Sequence, residues 1–194
     1  MLDDDNVCVH PLENAKEIVK WLKTTGLPWS VMMDFTGKFD ENMIKYMEEC
    51  GLTALRVGVE SFCTSAMSLM CPRKSVERQL ELIDFVIKHT KLSLFISMQH
   101  DILGETPDGR FLTDRMNEEF RRLYSTSNGR INSQYPVDII FPSTPGCNLL
   151  MDKGLWLFKG KDPLTVPWHQ YLDGATSCDV MTECNKKFNE TRNK

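Results

Sequence analysis

The sequence lacks closely spaced cysteine pairs and long apolar runs, and each absence excludes a class of protein. None of its seven cysteines lies two or three residues from another, so the spacings typical of structural zinc and iron–sulfur sites are absent. The longest uncharged apolar runs, such as Leu92–Met98, are much shorter than the roughly 20 residues of a membrane span. The chain also opens with acidic residues, whereas signal and transit peptides are basic. These absences predict a cytoplasmic protein without a membrane segment.

An excess of positive charge is also missing. The chain has 23 Lys and Arg against 27 Asp and Glu, a formal net charge of -4. Proteins that bind nucleic acid as their main partner carry clustered basic surfaces, and here the basic residues occur only in short pairs. Nucleic acid is therefore not expected as a primary partner. A hydrophobic content of 41% in 194 residues is enough for one domain with a real core.

The apolar pattern alternates between the periods of strands and helices. It predicts a helix over 13–25 and further helices capped at their N-termini by Asp40, Ser75 and Thr106. Short apolar runs between these helices have the length of buried strands. The predicted strands cover residues 29–33, 54–59, 92–98 and 137–141.

Strands that alternate with amphipathic helices indicate parallel βαβ units whose strands are buried on both faces. We count about four complete units and an N-terminal stub, whereas a closed eight-stranded barrel needs about 250 residues. The predicted fold is therefore α/β, an incomplete parallel (β/α) barrel, or partial TIM barrel, over residues 1–158. Residues 159–194 are expected to form a short, irregular C-terminal extension, peripheral or in need of a partner. In such folds the chemistry gathers at the carboxyl ends of the strands.

Four segments at or near predicted strand ends carry a family resemblance. In chain order they are Asp4-Asp5-Asn6-Val7, Gly58-Val59-Glu60-Ser61, Leu103-Gly104-Glu105-Thr106 and Pro145-Gly146. In this order and at these spacings they resemble the radical S-adenosylmethionine (radical SAM) superfamily over roughly residues 2–158. The nearest branch is the one associated with B12-binding domains and with methylthiotransferases.

The resemblance implies a partial barrel that binds S-adenosylmethionine beside a [4Fe-4S] cluster. In that superfamily the cluster donates an electron to S-adenosylmethionine, which yields a 5′-deoxyadenosyl radical. The cofactor-binding residues implied by the resemblance are Glu60, Ser61, Asp4, Asp5 and Gly104. No catalytic residue and no metal ligand is assigned.

Four of these residues also have a purely structural interpretation. Glu60 either bonds a polar group of S-adenosylmethionine or forms a salt bridge with Arg56 or another barrel residue. Asp4 and Asp5, the last two of three consecutive aspartates, either reach the amino group of the ligand or are solvated at the chain start. Gly104 is expected to shape a turn before the helix capped by Thr106.

The sequence also departs from the family pattern. The three-cysteine motif Cys-x-x-x-Cys-x-x-Cys is absent, so the isolated chain is expected to be inactive. Asp101 stands where the family has the first Gly of Gly-x-Pro-Gly-Glu-Thr, and the family's basic residue falls near Pro72, with Lys74 displaced beyond it. Two interpretations remain. The chain is the C-terminal portion of a radical SAM enzyme, completed by a missing N-terminal barrel segment or a complementing chain, or it is a diverged, non-catalytic barrel that serves as a binding or scaffold module.

His100 and Asp101 are a further candidate pair for acid–base chemistry or metal binding. Neighbouring residues of a strand point to opposite faces, so the pair is expected not to share a site.

Overall fold

A four-stranded parallel sheet organises the residues that the computed structural model describes, which are 12–35, 39–135, 145–152 and 186–191. Its strands are β1 (Trp29–Met33), β2 (Leu52–Glu60), β3 (Ser93–Met98) and β4 (Ile131–Gln134). They lie in the order β1-β2-β3-β4, so each strand pairs with the next one in the sequence. The predicted α/β class with a parallel sheet is confirmed.

Seven helical segments accompany the strands in the described residues: a short one at 186–191, and α1 (Leu12–Thr25), α2 (Glu41–Glu49), α3 (Thr64–Met70), α4 (Val76–His89), α5 (Pro107–Thr126) and α6 (Pro145–Asp152). The predicted N-caps are confirmed. The side chains of Asp40, Ser75 and Thr106 each accept a bond from the backbone N–H three residues on, which satisfies one otherwise unpaired donor of the helix.

Two elements differ from the sequence-based expectation. Helix α3 is not anticipated, because seven residues without charge give too short a period to distinguish helix from loop. Strand β4 is also unexpected, since only Ile131 in its four residues is apolar. It lies beside β3 at the sheet edge, whereas the strand predicted at 137–141 lies outside the described residues.

The two faces of the sheet differ in chemistry. One face packs against the helices in a single core, with buried strand residues Met33, Leu55, Val57, Val59, Leu94, Ile96, Met98 and Ile131. The opposite face, which we call the open face, holds mostly small or polar residues that are exposed or half-buried: Ser30, Met32, Ala54, Arg56, Gly58, Phe95, Ser97, Asn132 and Gln134. The prediction of burial on both faces is therefore wrong, because apolar residues occupy only alternate strand positions.

A short helical segment at 186–191 packs back onto this domain. Phe188 is buried, and the Asn189 side chain donates to the carbonyl of Glu105 at 2.8 Å. This part of the C-terminal extension is helical and anchored, contrary to the expectation of an irregular, peripheral tail. No helix in the described part of the chain combines the length and apolarity needed to cross a membrane.

Candidate functional site

Glu60 ends β2 in a strained backbone conformation. Its φ of 67° is in the left-handed region, and the N–H of Ser61 donates to the carbonyl of Val59 at 2.9 Å around it. This is a γ-turn with a positive central φ, a rare and unfavourable geometry for a residue with a side chain. Such strain persists where the surrounding structure holds it in place, and it is concentrated at ligand and active sites.

The Glu60 carboxylate belongs to a group that we call the Lys74 cluster, formed by Asp34, Glu60 and Lys74 with the Gly58 carbonyl. Nζ of Lys74 lies 2.7 Å from Oδ1 of Asp34, 3.3 Å from Oε1 of Glu60 and 2.8 Å from the carbonyl oxygen of Gly58. Burial opposes the charge on Lys74, but the carboxylates of Glu60 and Asp34 outweigh it and raise the pKa of this lysine. The carboxylates remain partly open to solvent, with 30% of the Asp34 side chain and 22% of the Glu60 side chain exposed.

The space at the Lys74 cluster depends on a glycine. A Cβ added to Gly58 would lie 2.7 Å from Oε1 of Glu60 and 3.6 Å from Nζ of Lys74.

Glu60 forms the salt bridge that its structural interpretation expects, but its partner is Lys74 and not Arg56. Arg56 lies over the ring of Phe95 on the open face, 4.7 Å from its centroid.

A second group of charges follows β3, and we call it the Asp101 cluster: His100, Asp101, Glu105 and Arg110. Asp101 also has a left-handed backbone, with φ of 59°. Its Oδ1 accepts from Nη1 of Arg110 at 2.9 Å, and its Oδ2 lies 2.8 Å from Nδ1 of His100. The side chains of Asp101 and Glu105 are only 5% and 2% exposed. This cluster is closed, whereas the Lys74 cluster is open.

The positive φ of Asp101 overturns one expectation. His100 and Asp101 were expected on opposite sides because strand residues alternate, but both follow the last residue of β3, where the chain no longer keeps the extended geometry. Their side chains are in contact. A left-handed residue at a strand end breaks the alternation that the sequence pattern assumes.

Glu105 connects the two strand ends. Its Oε2 accepts from the backbone N–H of Asp101 at 2.9 Å, and its Oε1 accepts from the hydroxyl of Ser61 at 3.3 Å. Burial, partly offset by these bonds and by Arg110, raises the pKa of Glu105 to about 7. Ser61 is itself fully buried, and its oxygen lies 3.2 Å from the Thr113 hydroxyl and accepts from the N–H of Cys63.

The predicted cofactor-binding residues fall into three groups. Glu60 lies at the carboxyl end of β2, beside Lys74 as a partner of opposite charge. Ser61 and Gly104 are buried within the loops, where Gly104 has φ of 86° and its carbonyl accepts from the Ser65 hydroxyl at 3.0 Å. Asp4 and Asp5 lie outside the described residues.

Sequence reasoning missed three charged residues of this edge: Asp34, Lys74 and Arg110. The motif spacing places the family's basic residue near Pro72, so the pattern does not single out Lys74. The unanticipated α3 explains the displacement, because the chain must complete this helix before it returns to the sheet edge. Asp34 directly follows β1, which is the signal that could have found it.

The residues described do not fit an iron–sulfur cluster. Among them, no group of three or more His, Cys, Asp or Glu side chains is arranged to hold a metal ion. Two cysteines, Cys50 and Cys63, are buried as free thiols. A [4Fe-4S] cluster would need thiolates from other parts of the polypeptide or from another chain.

Comparisons with known proteins leave the family of the chain open. No protein-family model and no curated protein sequence matches it.

Proposed function

We propose that this chain is the barrel portion of a cytoplasmic radical SAM enzyme and binds the methionyl end of S-adenosylmethionine at the Lys74 cluster. The observation that carries the proposal is the placement of two carboxylates and one lysine, partly exposed, at the carboxyl ends of β1 and β2. Carboxylates accept bonds from a ligand ammonium, and a lysine pairs with a ligand carboxylate. The cluster thus offers both halves of the recognition of an amino acid group.

The topology supports the partial barrel. Parallel strands added always in the same direction, with right-handed crossovers, keep their helices on one face, as in a barrel. A doubly wound sheet instead reverses its strand order and carries helices on both faces. Here the order runs β1-β2-β3-β4 without reversal, and the residues of the open face are mostly small or polar, as suits the inner, ligand-facing side of an unclosed barrel.

The role of each residue follows from its charge and position. Asp34 and Glu60 would accept from the ligand ammonium, while Lys74 would shift from these carboxylates toward the ligand carboxylate. Gly58 would leave the space that the ligand needs. In the complete enzyme the iron–sulfur cluster supplies the electron that cleaves the cofactor, and this chain contributes binding and exclusion of water.

The alternative is a diverged barrel that serves as a binding or scaffold module without chemistry. It is favoured by one observation, the absence from the sequence of any Cys-x-x-x-Cys-x-x-Cys segment. Anaerobic reconstitution of the chain with iron and sulfide separates the two ideas from a third, an intact cluster-binding enzyme. We expect no stoichiometric [4Fe-4S] charge-transfer band, and its appearance would contradict both.

Isothermal titration calorimetry tests the binding site. The full chain should bind S-adenosylmethionine with a Kd in the micromolar range, and 5′-methylthioadenosine, which lacks the amino acid group, should bind far more weakly. Glu60→Gln should weaken binding of S-adenosylmethionine about tenfold, the equivalent of roughly 1.4 kcal/mol. Glu41→Gln, which breaks an ion pair with Arg78 between α2 and α4, is the matched control and should leave affinity unchanged.

The outcomes decide between the two functions. Millimolar or absent binding by a folded chain would overturn the proposed site and leave the scaffold interpretation. Equal affinity for both nucleosides would show that the adenosine half alone is recognised, and the role assigned to Glu60 and Lys74 would fail.

A further inference from the structure

The carboxylate of Asp101 contacts the His100 ring through one oxygen and the Arg110 guanidinium through the other. Oδ2 of Asp101 lies 2.8 Å from Nδ1 of His100, and Oδ1 of Asp101 accepts from Nη1 of Arg110 at 2.9 Å. A carboxylate only accepts hydrogen bonds, so Nδ1 of the neutral imidazole must carry the hydrogen. The other nitrogen, Nε2, then carries the lone pair and can accept a proton.

In the part of the chain that the structure describes, no residue bonds to this lone pair. Among the described residues, Nε2 of His100 has no hydrogen-bond partner, while the side chain keeps 16% of its surface exposed. The ring packs edge-on against Tyr135, with centroids 5.1 Å apart. Burial, followed by the nearby carboxylates, raises the pKa of Tyr135, so the phenol is neutral and does not compete as an anion. The ring is therefore fixed in place, and one nitrogen remains available.

Asp101 combines an unfavourable backbone conformation with a buried carboxylate. A left-handed φ of 59° suits glycine, although aspartate tolerates it better than most residues. Burial of the carboxylate adds a desolvation cost. Both costs fall on the residue that orients His100, and residues held in such conformations are concentrated at functional sites.

We propose that His100 and Asp101 form a proton-transfer pair at the carboxyl edge of the sheet, with Nε2 of His100 as the base. The base takes a proton from an ammonium group of a ligand, the electron pair of the broken N–H bond stays on the nitrogen as the lone pair of a neutral amine, and the imidazolium later returns the proton. Asp101 is a positioning residue that fixes the tautomer and stabilises the imidazolium, and Arg110 holds Asp101.

This pair is independent of the amino acid site proposed at the Lys74 cluster, although both lie on one edge. The N–H of Gln99, the residue before His100, donates to the carbonyl of Glu60 at 2.6 Å. The proton-transfer pair uses no side chain of the Lys74 cluster. Failure of S-adenosylmethionine to bind would therefore not contradict the pair, and failure of the pair would not contradict the amino acid site.

The first test is the tautomer of His100 in the full chain. Nitrogen-15 NMR of the neutral ring should show the hydrogen of His100 on Nδ1. In Asp101→Gly, which relieves the left-handed strain and removes the carboxylate, the ring should become a mixture of both tautomers. A wild-type ring with its hydrogen on Nε2 would overturn the proposal, because the base would then have no lone pair facing a ligand.

The second test is reactivity toward diethyl pyrocarbonate, read by mass spectrometry for each histidine. His89, exposed on α4, is the internal reference. His100 should react at least as fast as His89 despite its greater burial, and Asp101→Gly should slow it about tenfold while His89 is unchanged. A His100 that reacts more slowly than His89 contradicts the proposal. Should Asp101→Gly fail to fold, the wild-type tautomer and the wild-type rate ratio decide.

Discussion

The ends of β2 and β3 share a left-handed backbone conformation but differ in how far their acidic side chains are exposed to solvent. Each places an acidic residue in the left-handed region, Glu60 with φ of 67° and Asp101 with φ of 59°. Glu60 keeps 22% of its side chain exposed and shares a lysine with Asp34, whereas Asp101 is 5% exposed. The open cluster can exchange its internal partners for those of a ligand. The closed cluster cannot do so without leaving charge buried, and it is therefore suited to holding a neighbouring group in place.

Removal of the cation from each cluster, Arg110 or Lys74, is the most direct test of this difference. Arg110→Met removes a cation that pairs with the buried carboxylates of Asp101 and Glu105, and we expect a loss of about 3–5 kcal/mol in the free energy of unfolding. Lys74→Met leaves carboxylates that water can reach, and should cost about 1 kcal/mol or less. Urea denaturation of both variants measures the difference. Equal losses would show that the two clusters do not differ as open and closed.

The closed cluster should also make stability depend on pH. The pKa of Glu105 is raised to about 7, so its protonated form stabilises the fold fully below the ordinary value of 4.5, and this contribution is lost as the pH rises through 7. The loss amounts to at most about 3 kcal/mol at 1.36 kcal/mol for each pKa unit. Glu105→Gln mimics the protonated form. The difference in unfolding free energy between variant and wild type should therefore grow between about pH 4.5 and 7, and parallel curves would contradict it.

A smaller loss than that of Arg110→Met is expected where the first turn of α5 packs against Cys63, the residue before α3. A Cβ added to Gly109, in the first turn of α5, would overlap Sγ of Cys63 and lie 2.5 Å from its Cβ. Gly109→Ala should therefore cost about 1–3 kcal/mol, although alanine favours a helix elsewhere. Thermal melts of the variant and of Gly109→Ala/Cys63→Gly provide the measurement. If the steric explanation is correct, the second change restores most of the loss.

The gross fold could be predicted because its signals are local. Asp40, Ser75 and Thr106 mark helix starts with their own side chains, and short apolar runs mark three of the four strands. Strand β4 could not be predicted in the same way, because its place depends on pairing with β3 and not on its own composition.

The candidate site was predictable only in part. Glu60 could be found because it follows an apolar strand directly, but its partner Lys74 returns to the edge from beyond α3. The contact of His100 with Asp101 depends on a single backbone angle, which alternation along a strand does not reveal.

The bond from Asn189 to the Glu105 carbonyl joins residues 84 positions apart, which has a consequence for biosynthesis. At about 5–20 residues per second, a ribosome needs roughly 4–17 seconds to supply Asn189 after it has made Glu105. The sheet can pair in the meantime, because each strand needs only the next strand along the chain. The loop after β3 must wait for its last partner, and in the nascent chain it is the part of this edge that chaperones and proteases reach longest.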